Sequence, residues 1–271
     1  MARIRRSEEL REAVSRSIAS QQFVAEGERT DLPAPLFTEP AQVTVTKNRS
    51  FEAAARYART QKTAVLNFAS ASNPGGGVTS GASAQEESLC RVSTLYPCLT
   101  EGRMRRLFYT PHRREHNPLH NDDTIYTKDV VVIKDDDYHQ LDDPFAVDVI
   151  TCAAPNLRHD PSNAYNPFDG RQGETVSYEQ LLAIHEQRGR KILSIAAANG
   201  VEALILGAFG CGAFRNDPDV VAAAYRNILP DYLHYFRTIE FAVWCRPQDD
   251  SNYRAFANLL YGGNESKQKT E

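Results

Sequence analysis

Residues 73–91, "NPGGGVTSGASAQEESLCR", place two adjacent carboxylates, Glu86 and Glu87, shortly after three consecutive glycines. Carboxyl groups can hand a proton to a leaving oxygen or orient hydroxyls beside a reacting bond. Glycine allows positive φ and close backbone approach, so Gly75, Gly76 and Gly77 can turn successive N–H groups toward an anion. A second turn, "GAFGCGAFRNDP" (207–218), has the same character and runs into a helix start marked by Asp217 and Pro218. A phosphate there would meet open N–H groups and a helix N-terminus together. The turn is no P-loop, since no Gly-Lys-Ser/Thr follows, and no GxGxxG dinucleotide fingerprint.

Each feature has a purely structural alternative. Ser83 and Glu86 fit a capping box, and Glu87 fits a first-turn charge favoured by the helix dipole. Capping explains the acids but leaves the glycines ahead of them unexplained. A general acid also has to start protonated, whereas a helix N-terminus favours the ionised form. Burial, the neighbouring carboxylate and a bound diphosphate would all raise the pKa. Adjacent helical residues point about 100° apart, so one acid can face a scissile bond while the other holds hydroxyls. Cys211 has no histidine near it in sequence and reads as a packed thiol. His112, His116 and His120 are spaced as helix-borne metal ligands might be, but Pro111 and Pro118 interrupt the helix, and no metal is assigned. Tyr96 reads as packing, and "DDD" at 135–137 as a solvated strand exit.

The elements that must position these residues follow from patterning. The chain of 271 residues, 41% hydrophobic and 24% charged, can bury a substantial core. A formal net charge of −4 argues against a broad basic face for duplex nucleic acid, and "RIRR", "RMRR" and "HRR" read as local solvated clusters. No apolar run approaches a membrane span, and the polar N-terminus lacks a signal core. Five cysteines without a CxxC pair suit free thiols in a reducing cytoplasm. Leu10, Val14, Ile18 and Val24 share one helix face within 7–26, and "LPAPLFTEP" is an extended connector. Apolar strands are expected at 42–46, 63–69, 130–134, 147–153, 203–209 and 239–245. Helices are expected from Ser50, over Ser83–Leu99, 178–199, from Pro218, and over 251–261, with an irregular surface excursion at 100–128. Such alternation predicts an α/β fold, a mainly parallel or mixed sheet covered on both faces, with ligands at the strands' carboxyl ends. Both glycine turns fall at such ends.

The quoted residues resemble a known family. "GGG", seven residues, then "QEE" is similar to the signature of poly(ADP-ribose) glycohydrolases, and "VLNFASASNPGGGV", "QEESLCRVSTLYPCL", "VDVITCAAPN" and "LGAFGCGAFRNDP" resemble its bacterial-type branch. The resemblance implies a three-layer α/β/α macrodomain-like fold with a mixed sheet over 42–262. An N-terminal helical extension and connector (1–41) would precede it, and a disordered tail (263–271) would follow. It implies hydrolysis of ribose–ribose O-glycosidic bonds without a cofactor, on poly(ADP-ribose) carried by modified proteins, with ADP-ribose as product.

Residue by residue, the resemblance makes Glu87 the acid that protonates the leaving 2′-oxygen and then activates water, and makes Glu86 the holder of ribose hydroxyls. Gln85, Asn73 and Gly75–Gly77 become substrate contacts on the catalytic loop. Gly210, Cys211, Gly212 and Ala213 become the second diphosphate loop, and Phe214 packs on the distal ribose. The stretch departs at Ser70, where relatives are expected to carry Asn, so that contact is either lost or taken over by Asn67 or Asn73. Phe68 and the loop with Pro155 and Asn156 are candidates for the adenine pocket from their strand-end positions. The expected protein is a cytoplasmic monomer. A non-catalytic ADP-ribose reader and a mono-ADP-ribosyl hydrolase stay open as alternatives.

Overall fold

The computed structural model describes residue 4 and residues 6–261, Tyr165 excepted. The tail expected at 263–271 and part of "RIRR" lie outside the described residues. A seven-stranded mixed sheet runs through the molecule in the order β1-β4-β5-β3-β6-β7-β2. Its strands are β1 (Gln22–Val24), β2 (Gln42–Thr46), β3 (Thr63–Phe68), β4 (Thr124–Lys134), β5 (Gln140–Cys152), β6 (Ala203–Leu206) and β7 (Thr238–Ala242). β5, β3, β6, β7 and β2 pair in parallel. β4 joins β5 and β1 joins β4 in antiparallel register. The carboxyl ends of β5, β3, β6 and β7 therefore open on one edge.

Two-residue alternation sends successive strand residues to opposite faces. Ala64, Leu66, Leu204 and Leu206 pack with Ile192, Ile195, Val221 and Tyr225 on one face. These belong to the long helices α6 (Tyr178–Ala198) and α7 (Pro218–Ile228). Val65, Ile205, Val147 and Val149 face the other way, onto Phe51, Leu89, Cys90 and Leu95. These lie on α2 (Ser50–Ala55), α3 (Gln85–Val92) and α4 (Leu95–Leu99). The layers are helix, sheet, helix. The same parity puts Asn67 on the α3 side and Phe68 on the opposite side, which matters for the site.

Local chemistry explains most element boundaries. The Ser177 hydroxyl accepts the Gln180 amide, and the Ser177 amide donates to the Gln180 side-chain oxygen, a capping box that starts α6. Asp217 caps α7 with Pro218 in its first turn. Val24 does not continue α1 (Glu8–Ala19) but pairs with Thr124 in β1, so the N-terminal segment adds a strand to the sheet.

Three expectations are corrected. Arg49, rather than Ser50, precedes α2 as its cap residue. The stretch 83–99 is two helices broken at Ser93, whose main chain is extended and bridges to Val132. Residues 100–128 are not an open excursion. Gly102–Met104, Arg105–Tyr109 and α5 (Thr110–Glu115) run on as helix, and Met104, Phe108, Tyr109 and His112 are buried. The segment Arg105–Tyr109 is π-helical, which carries these aromatics onto α3 and α4 despite Pro111. No described helix is long and apolar enough to cross a membrane.

Candidate active site

The first turn of α3 carries Glu86 and Glu87 beneath the exit of β3, and the structure overturns the capping reading. Ala84 is the cap residue, without a side-chain cap bond. Both acids are turned inward, 2% and 6% exposed. Glu86 Oε2 accepts the Ser70 amide at 2.8 Å and Oε1 accepts Asn67 Nδ2 at 3.3 Å. Burial pushes the Glu86 carboxyl up to about 8, with neighbouring Glu87 acting in the same direction and the Ser70 N–H opposing. Glu87 Oε1 accepts the Gly77 amide at 2.8 Å. Its other oxygen is buried without a hydrogen-bond partner among the described residues.

The glycine loop owes its composition to these acids. Gly75 and Gly76 have φ of +71° and +56°, in the left-handed region. A Cβ on Gly76 would collide with Glu87 Oε1 and lie 3.3 Å from Glu86 Oε2, so both carboxyls converge on this residue. A Cβ on Gly75 would meet the Tyr96 ring at 2.6 Å, which gives Tyr96 its packing role. Asn73 donates from Nδ2 to the Gly76 carbonyl and holds the loop closed.

The second glycine turn stands beside the first because β6 lies next to β3. Gly207 packs where a Cβ would meet the Ala242 carbonyl at 2.7 Å and the Phe68 ring at 2.9 Å. Gly210, with φ of +80°, has Ala154 and Asn216 where a Cβ would be. Asn216 donates to the carbonyls of Pro155 at 2.7 Å and Gly210 at 3.1 Å, and pairs with His185 Nε2 at 2.8 Å. The turn is braced from behind while Gly212 and Ala213 remain exposed at its tip. Both turns open into one cleft of about 1120 Å³, lined among others by Gly76, Gly77, Glu86, Glu87, Gly212 and Phe214. Small-ligand pockets usually measure about 300–1,000 Å³, so an extended sugar nucleotide fits its scale.

Comparison with known proteins decides the family. The model of the microbial-type PARG catalytic domain matches residues 3–135. The crystal structure of poly(ADP-ribose) glycohydrolase (PARG) from Thermomonospora curvata superposes with a TM-score of 0.81 at 33% identity, covering 92% of this chain and 88% of that one. The enzyme from Deinococcus radiodurans in complex with ADP-ribose gives 0.76 at 34%, covering 92% and 97%. The chain belongs to the microbial-type poly(ADP-ribose) glycohydrolases. A comparison with curated proteins finds no match.

In this glycohydrolase the remaining expected site residues divide by what they touch. Phe68, Gln85 and Ala213 line the cleft with the residues above. The Gln85 side chain is nevertheless spent on β3: it donates to Leu66 O and Ser50 Oγ and accepts the Phe68 amide at 2.9 Å. Asn67 is fully buried between Glu86 and Thr151 and steadies the acid. Asn156 is buried, donating to Asp169 and to the Pro161 carbonyl at 3.0 Å, and Pro155 offers its carbonyl to Asn216. The Cys211 thiol points back to the Phe209 carbonyl, and burial raises its pKa; all five cysteines are free. His112 bonds the Phe108 carbonyl and Asn121, and no group of three His, Cys, Asp or Glu among the described residues is placed to hold a metal.

Several cleft residues escaped the sequence reading. Trp244, 50% exposed, follows β7 with the Arg49 guanidinium 4.9 Å from its ring. "DDD" is not merely a strand exit: Asp136, Asp137 and Tyr138 form the tip of the β4–β5 hairpin and line the cleft, Asp136 bonding Arg49 through its carbonyl at 3.3 Å. A lone tryptophan just beyond an apolar strand was the available signal. The hairpin that delivers the acids has no local signature.

Proposed function

We propose that the chain cleaves ribose–ribose O-glycosidic bonds of poly(ADP-ribose), with Glu87 as the acid and Glu86 as the holder of the ribose. The observation that carries this assignment is the buried oxygen of Glu87 that has no hydrogen-bond partner among the described residues, held over the glycine loop inside the cleft. Burial raises Glu86 to about 8, which keeps a proton within the acid site at neutral pH. Glu87 passes it to the leaving 2′-oxygen as the C1″–O bond breaks toward an oxocarbenium-like ion. Deprotonated Glu87 then takes a proton from the water that attacks C1″, and the pair is restored.

Adjacent acids on one helix turn do not flank the bond from opposite faces as two separated carboxylates do. The diphosphate, held across Gly76–Gly77 and Gly210–Ala213, would stabilise the cation and place the water. Phe214 supplies an apolar wall for the ribose between them. Following strand order from β3 through β6 to β7, the adenosine end reaches Trp244, where one ring face is covered by Arg49 and exposed area remains for the base. The five free thiols support a reducing, cytoplasmic setting.

Incubating the protein with poly(ADP-ribose) and measuring free ADP-ribose tests this reading. Release by wild type that disappears in Glu87→Gln supports it. Binding of polymer without release would identify a reader instead, and loss of label only from singly modified proteins a mono-ADP-ribosyl hydrolase.

A further inference from the structure

A buried polar cluster behind the glycine loop connects the acid pair to a distant segment. Ser70, Ser72, Asn156, Asn166 and Asp169 are each no more than 7% exposed. Asp169 Oδ1 faces the Ser72 hydroxyl at 2.8 Å, and Oδ2 accepts Nδ2 of Asn156 at 3.0 Å and Nδ2 of Asn166. Asn166 Oδ1 in turn accepts the Ser70 hydroxyl at 2.9 Å. The Ser70 amide donates to Glu86, and its hydroxyl accepts the Asn73 amide at 3.0 Å. Three successive hydrogen bonds therefore run Asp169–Asn166–Ser70–Glu86.

Asp169, at the far end, is buried beside an imidazole. His120 Nε2 lies 3.4 Å from Asp169, but burial, with Arg188 and His112 adding to it, holds the imidazole well below its ordinary pKa. Burial raises the Asp169 carboxyl, and its donors Asn156, Ser72 and Asn166 oppose that rise. A buried carboxylate that accepts from three segments fixes them relative to one another. Here these are the residues after β5, the loop around Asn166, and the stretch that carries Ser70 to Asn73. The outer side is braced as well: Arg113 donates to the Ser72 carbonyl and lies 4.8 Å from the Phe168 ring.

We propose that Asp169 is a positioning residue for the acid pair: through Asn166 it sets the Ser70 loop, and with it the Glu86 carboxyl and the entry to the glycine turn. Asp169 does not line the cleft, so it acts without touching substrate. This inference rests on the hydrolase reading above. It also explains how Ser70 serves where an asparagine was expected: its short hydroxyl hands the connection to Asn166.

The test measures kcat and KM on poly(ADP-ribose), the Kd for ADP-ribose and the Tm of wild type, Asp169→Asn, Ser70→Ala and the double variant. The amide of Asp169→Asn has only one acceptor oxygen and presents a donor to other donors. Misplacement of reacting groups by about 1 Å lowers rate on the order of 10²-fold. We expect kcat to fall on that scale in Asp169→Asn, with KM and Kd nearly unchanged. Ser70→Ala cuts the same chain while keeping the amide to Glu86, and should lower kcat in the same direction. The double variant should lose less than the product of the two single losses, because both act on the same loop.

Independent, multiplicative losses would overturn the proposal, as would a Kd that weakens in step with kcat. Should Asp169→Asn fail to fold, an unchanged kcat in Ser70→Ala overturns it alone. Wild-type turnover with an undiminished kcat in both variants removes this inference only. Absence of turnover in wild type removes the hydrolase reading and this inference with it.

Discussion

Glu87 Oε1 accepts the Gly77 backbone amide at 2.8 Å, which makes the acid and the glycine loop one unit. Its second oxygen keeps no partner in the described protein. A carboxyl anchored through one oxygen and open through the other suits proton donation to a ligand. Glu87→Gln keeps this shape and loses the proton. General acid–base groups contribute about 10²–10⁴-fold, and kcat for ADP-ribose release is expected to fall within that range. Calorimetry should find ADP-ribose affinity close to wild type.

Gly76 tests whether the loop must approach the acids so closely. Gly76→Ala adds a methyl where Glu87 Oε1 sits, at a φ of +56°. Either the carboxyl or the loop must move, and displacement of this order lowers rate by about 10²-fold. Far-UV circular dichroism should remain that of wild type, since the loop is not part of the sheet. An active Gly76→Ala enzyme would show that the contact is incidental.

Stability should depend on pH through Glu86. Its carboxyl is raised from an ordinary 4.5 to about 8, chiefly by burial. Between those values the folded state binds a proton that the unfolded chain has released. The contribution is fully present below about 4.5, declines as pH rises through the window, and is lost above about 8. Glu86→Gln removes this dependence. Thermal melts across the window should therefore show its Tm gaining on wild type as pH increases, and a constant difference would contradict the assignment.

Phe214 lines the cleft beyond the second glycine turn, its ring 6.0 Å from His120. An aromatic face contributes about 0.5–1.5 kcal/mol beyond the area it covers. Phe214→Ala should raise the Kd for ADP-ribose by roughly tenfold and raise KM with it. A fall in kcat at unchanged KM would assign the ring to the reacting centre instead.

Much of this architecture was legible before any coordinate. The strands at 42–46 and 63–69 and the starts of α6 and α7 follow from apolar runs and caps, which are local. Glu86, Glu87 and both glycine turns stood out for the same reason. What stayed hidden depends on contacts distant in sequence. The capping box at Ser83 is locally valid, yet the Ser70 amide and Asn67 outcompete it for Glu86. Asn166 and Asp169 sit in an irregular loop, and only folding brings them to Ser70. The hairpin tip at Asp136–Tyr138 reaches the cleft because β4 and β5 extend beyond their apolar stretches, with register shifts that no periodicity announces. Arg105–Tyr109 escaped because a π-helix preserves neither of the usual spacings.

The lone tryptophan of the chain stands half exposed on the cleft wall, with a guanidinium against one face. The protein thus carries its single indole fluorophore at the point where the nucleotide end is expected to arrive, so emission excited selectively at the indole comes from that point alone. Titration with ADP-ribose should change Trp244 emission in a saturable way. The same optical change followed in a stopped-flow instrument would time product departure separately from bond cleavage. Emission that ignores ADP-ribose while calorimetry records binding would place the base elsewhere. The enzyme's slow step could then be found without attaching any label to its polymer.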